Sequence, residues 1–413
     1  MSRGGAGPCR GLAFLGRDSP QPRADRSPAS CGEGASRAPC QPRQAWFEGD
    51  GAVEDLLQVT DAGLYCPRGD FHVDPWRRVP RAVITHAHAD HARWGCDRYL
   101  CAAPGKTVLR TRLGGNAVID TLRYGESLSI DGVNVSLHPA GHVLGSAQVR
   151  IEHGGVTWVV TGDYKLQADP TCAAFEPVRC DVFVTESTFG LPVYRWEEPA
   201  TIAAEIDAWW RANRDAGRTS VILAYALGKA QRLAAMVDPS IGPIVAHGAV
   251  MKLVEAYRAS GVRLPSIDRV PPRARKVGGG RALVIAPPSV LGSPWLKLFG
   301  ESSVAMASGW MLLRGVRRRR GFDRGFVVSD HADFPGLLAA VEASGARRVL
   351  ATHGFADAFS RFLRDRGLDA SVLPTRFMGE AAPDAAEEEA SASDAPESLA
   401  THGADDGEDQ EPA

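Results

Sequence analysis

The stretch Arg81-Ala82-Val83-Ile84-Thr85-His86-Ala87-His88-Ala89-Asp90-His91 decides how this chain is read. The apolar run at 82–84 is a short buried strand, and three histidines and a carboxylate follow it within six residues. A strand that stops into a loop can turn several side chains toward one point. Imidazole plus carboxylate is the ligand set that suits zinc-type metals. The chain holds only 11 histidines, so chance makes a poor account of three in one short loop.

Other candidate ligands leave strand-like runs in the same way. His142 lies in Pro139-Ala140-Gly141-His142-Val143-Leu144-Gly145-Ser146, Asp163 follows the apolar run 158–160 in Thr161-Gly162-Asp163, and His353 follows Val349-Leu350 in Thr352-His353-Gly354. Each emerges beside a glycine. Singly, each of them reads more readily as a turn residue than as a ligand; together with the first cluster they suffice for two metal ions.

Around these residues the pattern is that of an α/β protein. Strand-like runs at 56–59, 71–73, 82–85, 133–137, 147–151, 157–161 and 181–184 make the first half sheet-rich. Helical patterns at 202–214 and 229–236 then bracket an apolar run at 221–225, and segments at 250–259 and 283–286 follow. The chain closes with strand, helix and strand at 326–329, 334–343 and 349–352, and the alternation reads as a partly parallel sheet. Residues 1–45, rich in Gly, Pro, Ser, Ala and Arg, and residues 378–413, an acidic Ala/Glu/Ser/Asp tail, cannot bury enough apolar surface to order and are expected to be disordered. Cys9, Cys31 and Cys40 in that head are too irregularly spaced for a metal site.

The net charge of -2 conceals an asymmetry, because the last 34 residues hold 12 Asp or Glu and no Lys or Arg. The rest of the chain is therefore basic, which suits an anionic polymer as ligand. No window approaches the 18 apolar residues of a membrane span, no secretory signal is evident, and the eight cysteines show no CxxC pair. These features predict a reduced, cytoplasmic protein that does not contact membrane.

The series His86-x-His88-x-Asp90-His91, His142, Asp163 resembles the metallo-β-lactamase fold in order, spacing and strand-end context. That resemblance implies a four-layer αββα sandwich. Glu186 in Thr185-Glu186-Ser187-Thr188-Phe189-Gly190, His331 in Ser329-Asp330-His331-Ala332-Asp333, and His353 look like the three further motifs of the β-CASP nucleases. The 144 residues between Glu186 and His331 match the inserted α/β domain of that family, and the likeness spans roughly residues 50–376. It implies a metallo-β-lactamase domain in two parts at 46–190 and 321–377 and an inserted β-CASP domain at 191–320, between the disordered basic head at 1–45 and the acidic tail at 378–413 that composition predicts.

Within the family the chain is most similar to the bacterial ligase-associated DNA exonucleases. The similarity is carried by Leu64-Tyr65-Cys66-Pro67-Arg68-Gly69-Asp70-Phe71, by Val73-Asp74-Pro75-Trp76-Arg77 and by Tyr225-Ala226-Leu227-Gly228-Lys229-Ala230-Gln231-Arg232. By this resemblance His86, His88, His142 and Asp163 hold one divalent metal, and Asp90, His91, Asp163 and His353 a second. Zinc is expected, with manganese as the alternative. Asp74 would orient the ligands through hydrogen bonds, a metal-activated water would attack the phosphodiester, and His331, held by Glu186, would protonate the leaving oxygen. Lys229 and Arg232 are candidate phosphate contacts, as is the run Arg317 to Arg320, although a solvated face would look the same. Trp310 reads as core, and His247 as a structural histidine.

The function implied is a DNA exonuclease acting in repair with a DNA ligase and a helicase. The alternative is an RNA nuclease of the messenger-RNA 3′-end-processing or bacterial ribonuclease type. A catalytically inactive scaffold fits less well, because every matched ligand position is occupied, and a small-molecule hydrolase would leave the insert unexplained.

Overall fold

Closely spaced Gly, Pro and Asp residues after Asp55 leave room only for short strands. β1 (Gln58–Thr60), β2 (Gly63–Cys66), β3 (Phe71–Val73), β4 (Arg81–Val83), β5 (Arg98–Ala102) and β6 (Ile119–Leu122) pair in that order into one sheet, with α1 (Lys106–Leu113) between the last two. The first two pairings are antiparallel and the remaining three parallel. The computed structural model describes residues 55–270, 277–313 and 322–376; the expected disordered head and acidic tail and the run Arg317 to Arg320 lie outside them.

Longer alternating runs build the second sheet. β7 (Ser127–Ile130), β8 (Val133–Pro139), β9 (Ala147–His153) and β10 (Val156–Val160) form an antiparallel meander, and β11 (Val182–Glu186) then runs parallel to β10.

From here helices and strands alternate. They comprise α2 (Pro199–Asp215), β12 (Thr219–Leu223), α3 (Lys229–Met236), β13 (Ile244–Ala246), α4 (Gly248–Ala259), β14 (Asp268–Arg269), β15 (Leu283–Ala286), β16 (Ser302–Ala307) and β17 (Arg324–Phe326). The six strands form a third sheet, parallel throughout, in the order β14-β13-β15-β12-β16-β17. A parallel sheet covered on both faces needs continuous rather than alternating apolar strands, which is why Val221-Ile222-Leu223 of β12 and the whole of β15 read as unbroken hydrophobic runs. α2 begins at Pro199 because proline's fixed φ and missing N–H suit the first helical turn.

The chain then returns to the second sheet through α5 (Phe334–Ser344), β18 (Arg348–Thr352), α6 (Ala356–Arg364) and β19 (Asp369–Val372). β18 lies parallel beside β11, with Thr352 opposite Glu186. Sequence-distant residues are thereby brought together at the C-terminal ends of two neighbouring strands.

Leu64, Phe71, Val73 and Val83 of the first sheet share a core with Val135, Leu137, Val149, Val160 and Val184 of the second, so the two sheets pack face to face. The outer face of the second is covered by Leu337 and Val341 of α5 and Phe359 and Leu363 of α6. That of the first meets Val108 and Leu109 of α1 and Leu253 and Tyr257 of α4. Among the described residues no helix is long and apolar enough to cross a membrane. The sequence reading locates more than half of the strands named here; it misses β2, β5, β6, β7, β13, β14, β16 and β19 and the helices α1 and α6.

Candidate metal centre and cleft

The polar residues singled out in the sequence follow the C-terminal ends of strands, where α/β sheets present ligands. His86, His88, Asp90 and His91 follow β4, Asp163 follows β10, Glu186 ends β11, His353 follows β18, His331 lies beyond β17, and His142 stands in the turn between β8 and β9. They meet around Asp163. Its carboxylate is 3.4 Å from Nε2 of His86, 3.7 Å from Nε2 of His91, 3.7 Å from Nε2 of His142 and 3.1 Å from Nε2 of His353. Asp90 stands 3.6 Å from Nε2 of His91. Ligand atoms of His86, His88, His142 and Asp163 all lie within 4.8 Å of one another; the Asp90, His91 and His353 group instead reaches the centre through pairwise contacts.

The outer nitrogens of these rings fix where their protons sit. Nδ1 of His142 faces the Asp330 carbonyl at 2.7 Å, and Nε2 of His88 faces the Leu227 carbonyl at 3.3 Å. A carbonyl only accepts, so each of those nitrogens carries hydrogen. Nδ1 of His91 likewise donates to Asp74 at 2.7 Å. Thr85 gives its hydroxyl proton to Asp74 and Thr352 gives its own to the Thr185 carbonyl, so Nδ1 of His86 and Nδ1 of His353 donate to those hydroxyls at 3.1 and 2.9 Å. In His86, His88 and His142, which their surroundings hold neutral, the opposite nitrogen is turned toward the centre and keeps its lone pair; His91 and His353 turn Nε2 to the same point. This is the hydrogen-bonding pattern that orients metal-binding imidazoles.

Electrostatics point the same way. Burial, reinforced by neighbouring imidazoles, lowers His86 and His142 well below the usual histidine range, and burial lowers His88, so these rings are held neutral. His91 goes against its burial: Asp90, Asp163 and Asp74 raise it to about 10. Burial would raise Asp163, but His91 and His331 hold it well below the usual carboxylate range. The pocket thus has a negative field around His91 that draws in positive charge. Nε2 of His86 is buried without a hydrogen-bond partner. Three neutral, aligned imidazoles, those of His86, His88 and His142, beside an ionised carboxylate, with a buried acceptor left over, fit a divalent cation.

Backbone geometry is held to the same end. Asp74 and His353 adopt positive φ of 44° and 24°, conformations that non-glycine residues take up only where their surroundings enforce them. Gly162 has φ of 56°, and a Cβ there would lie 2.4 Å from Oγ1 of Thr85. Only glycine lets the turn before Asp163 pass that close to the His86 loop.

Beside the centre, Nδ1 of His331 donates to Glu186 at 2.9 Å, and the other Glu186 oxygen accepts from the Tyr164 amide at 2.7 Å. The helix after His331 is capped by Asp333, which leaves His331 free of that duty. His331 lines a cleft of about 290 Å³ together with His88, Asp90, His142 and Asp163 on one side and Tyr225, Leu227, Lys229, Pro287 and Pro288 of the third-sheet segment on the other. Lys229 is 1% exposed, and its ammonium lies 4.9 Å from the centre of the Tyr225 ring. Arg232 departs from expectation. It is 3% exposed, sits outside the cleft lining and faces Asp169, Asp330 and the Ser329 carbonyl, so its charge is already matched inside the protein. His247 caps α4 by accepting from the Ala249 amide, a structural role. Trp310 packs against Phe189 and Tyr194.

Sequence reasoning overlooks the partners that aim the ligands: Thr85, Thr352, and the carbonyls of Leu227 and Asp330. A signal exists for the two threonines, since each immediately precedes a site histidine in the repeated dipeptide Thr-His. The carbonyls leave no trace in side-chain identity.

Fold and site together are compatible with the metallo-β-lactamase class. Comparison with known proteins carries this further, although no family model matches the chain. Over 315 residues, 75% of this chain and 30% of the relative, it is 33% identical to a "Probable DNA ligase" of Opitutus terrae. Over 210 residues, 45% of this chain and 29% of the relative, it is 30% identical to the cleavage and polyadenylation specificity factor 73 of Drosophila melanogaster. It is 32% identical over 124 residues to the endoribonuclease YSH1 of Yarrowia lipolytica, 29% of this chain and 14% of that one. The chain therefore spans less than a third of the length of these curated relatives. A crystal structure of a protein of unknown function from Enterococcus faecalis shares the fold at a TM-score of 0.52 and 13% identity, covering 72% of this chain and 79% of its own. β-CASP metallo-β-lactamase nucleases are among the chain's homologues, in agreement with the resemblance its motifs carry.

Proposed function

We propose that this chain is a dinuclear-metal phosphodiesterase, a DNA exonuclease that works in repair beside a DNA ligase and a helicase in the cytoplasm. On this reading residues 46–190 and 321–377 form an αββα sandwich, and residues 191–320 are an inserted β-CASP domain that supplies the far wall of the cleft. The observation that carries the reading is the set of five inward-facing imidazole nitrogens around Asp163, with the Glu186–His331 pair beside them on one cleft. The alignment with part of a "Probable DNA ligase" supports action beside a ligase.

His86, His88, His142 and Asp163 would hold one divalent ion, and Asp90, His91, Asp163 and His353 the other, zinc or, as the alternative, manganese. Bound there, such ions lower the pKa of water toward neutrality and polarise a phosphoryl oxygen. The chain's own groups do the rest. Asp74 fixes the His91 ring, and Thr85 holds Asp74 in turn. Glu186 accepts a hydrogen bond from Nδ1–H of His331, which orients the imidazole and favours its protonated form, the general acid for the departing oxygen. Lys229, buried at the cleft wall, adds positive charge where a phosphate would enter.

A second reading, cleavage of RNA, is favoured by the likeness to the specificity factor and the endoribonuclease. End-labelled single-stranded DNA, duplex DNA and RNA of one sequence, incubated with wild type, Asp90→Ala and His331→Ala, separate the two. Progressive release of mononucleotides from DNA, lost in both variants, supports the exonuclease. Internal cuts confined to RNA favour the second reading, and undiminished cleavage by both variants overturns the site.

A further inference from the structure

Arg232 lies behind the cleft in a buried cluster of four charges, with Lys165 and Asp169 from the loop after Asp163 and Asp330 from the turn that carries His331. Nζ of Lys165 is 2.6 Å from Asp169 and 4.0 Å from Asp330; the Arg232 guanidinium is 3.6 Å from Asp169 and 3.5 Å from Asp330. Two cations face two anions, so the cluster is neutral overall. Arg232 also donates to the Ser329 carbonyl. Nη1 meets both the Ser329 carbonyl and the Asp330 carboxylate while Nε faces Asp169, so the planar fork ties the 329–330 turn to Asp169 from two separate nitrogens, as a point charge could not.

That turn serves the candidate metal centre at two points. The Asp330 carbonyl receives the Nδ1 proton of His142 and so points the lone pair of His142 Nε2 inward. The next residue is His331, whose amide is held by Oγ of Ser329 at 3.1 Å. One misplaced turn would disturb a ligand and the acid together. Arg232 comes from α3, so the segment building the third sheet sets the geometry of a centre made mostly from the other two.

We propose that Arg232 is a positioning residue, which holds the 329–331 turn so that the Asp330 carbonyl fixes the His142 tautomer and His331 faces the cleft. This rests on the metal-centre reading above, and its tests do not require nuclease activity. In the full-length protein, cobalt(II) is titrated against a competing chelator and its visible absorption followed. Arg232→Lys keeps the charge but loses the fork, and is expected to weaken one cobalt site about tenfold, within the range for removing such supporting partners, and to alter the absorption band. Asn213→Ala removes a buried hydrogen bond to Ser220 elsewhere in the third-sheet segment; it is expected to lower the melting temperature and leave cobalt affinity within twofold. Unchanged affinity in Arg232→Lys, or equal weakening in both variants, overturns the proposal.

A wild-type measurement guards against a variant that fails to fold. In histidine-labelled, metal-free protein, the ring signal assigned to His142 by its loss in His142→Gln is expected to report the Nδ1–H tautomer. An Nε2–H tautomer would refute the link through Asp330. If the chain proves not to cleave nucleic acid, the cobalt and tautomer results still stand or fall by themselves.

Discussion

Asp74 and His91, 17 residues apart in sequence, form a buried pair in which the carboxylate takes the Nδ1 proton of the ring at 2.7 Å. Asp74 is also held by the Thr85 amide at 2.8 Å and by the Thr85 hydroxyl, so a single carboxylate aligns His91 and, through Thr85, His86. Asp74→Asn keeps the shape but turns an acceptor edge into a donor. Metal affinity, read by chelator competition, should fall about 10- to 100-fold, with the secondary structure intact by circular dichroism.

Gly162 is where the Asp163 turn crosses the His86 loop. Gly162→Ala puts a methyl 2.4 Å from the Thr85 hydroxyl at a φ of 56°. Backbone strain alone costs about 1–3 kcal/mol, and relief by shifting Thr85 would release Asp74. The variant should melt at lower temperature and bind metal more weakly than wild type, whereas Gly155→Ala, where nothing lies within 4 Å of the added carbon, should lose stability without losing metal.

Asp169 gives a pH dependence with a defined sign. Burial would raise its pKa, but Lys165 and Arg232 prevail and hold it below the usual carboxylate value. A depressed carboxyl contributes stability that is fully present above its unfolded pKa of about 3.9 and is lost as pH falls through the folded value. Wild type should therefore lose this increment only below about pH 4. Asp169→Asn should be less stable by about 3–5 kcal/mol at neutral pH, because it strands buried cations, and should show a shallower acid limb in urea melts measured at stepped pH.

The sequence reveals ligands better than the framework that aims them. The loop from His86 to His91 is legible because metal binding demands particular side chains at short spacing after a strand. His142, Asp163 and His353 stand out because glycines mark the turns that carry them. Arg232 misleads because a cation on a helix looks alike whether it meets solvent or a buried carboxylate; only tertiary packing distinguishes the two. β6 escapes notice because Asp120 and Thr121 interrupt its apolar pattern, while pairing with β5 secures it. The tautomer-setting carbonyls of Leu227 and Asp330 belong to the backbone and are beyond any reading of side chains.

Glu186 and His331 allow the acid to be tested apart from the metal centre. Glu186→Gln can still accept from Tyr164 but no longer favours the protonated imidazole. Turnover on a nucleic-acid substrate should fall by about 10²- to 10⁴-fold, the usual worth of a positioned acid, with little change in KM. A substrate with a good leaving group, which needs no proton, should recover most of the loss. Equal losses on both substrates would mean that Glu186 serves the structure and not the proton.

Chelation should destabilise the protein, since Asp74, Asp90 and Asp163 crowd around His91, which alone among the buried ligand rings is raised to bear charge. A cation bound only by the folded state adds RT ln(1 + [L]/Kd), about 2.7 kcal/mol at a hundredfold excess over Kd. Removal of metal should lower the melting temperature by several degrees, and graded return of zinc or manganese should restore it. His86→Ala and Asp163→Ala should remove that response even where they fold. A melting temperature indifferent to both chelator and added metal would show that these imidazoles, for all their alignment, form a hydrogen-bonded core and bind no metal.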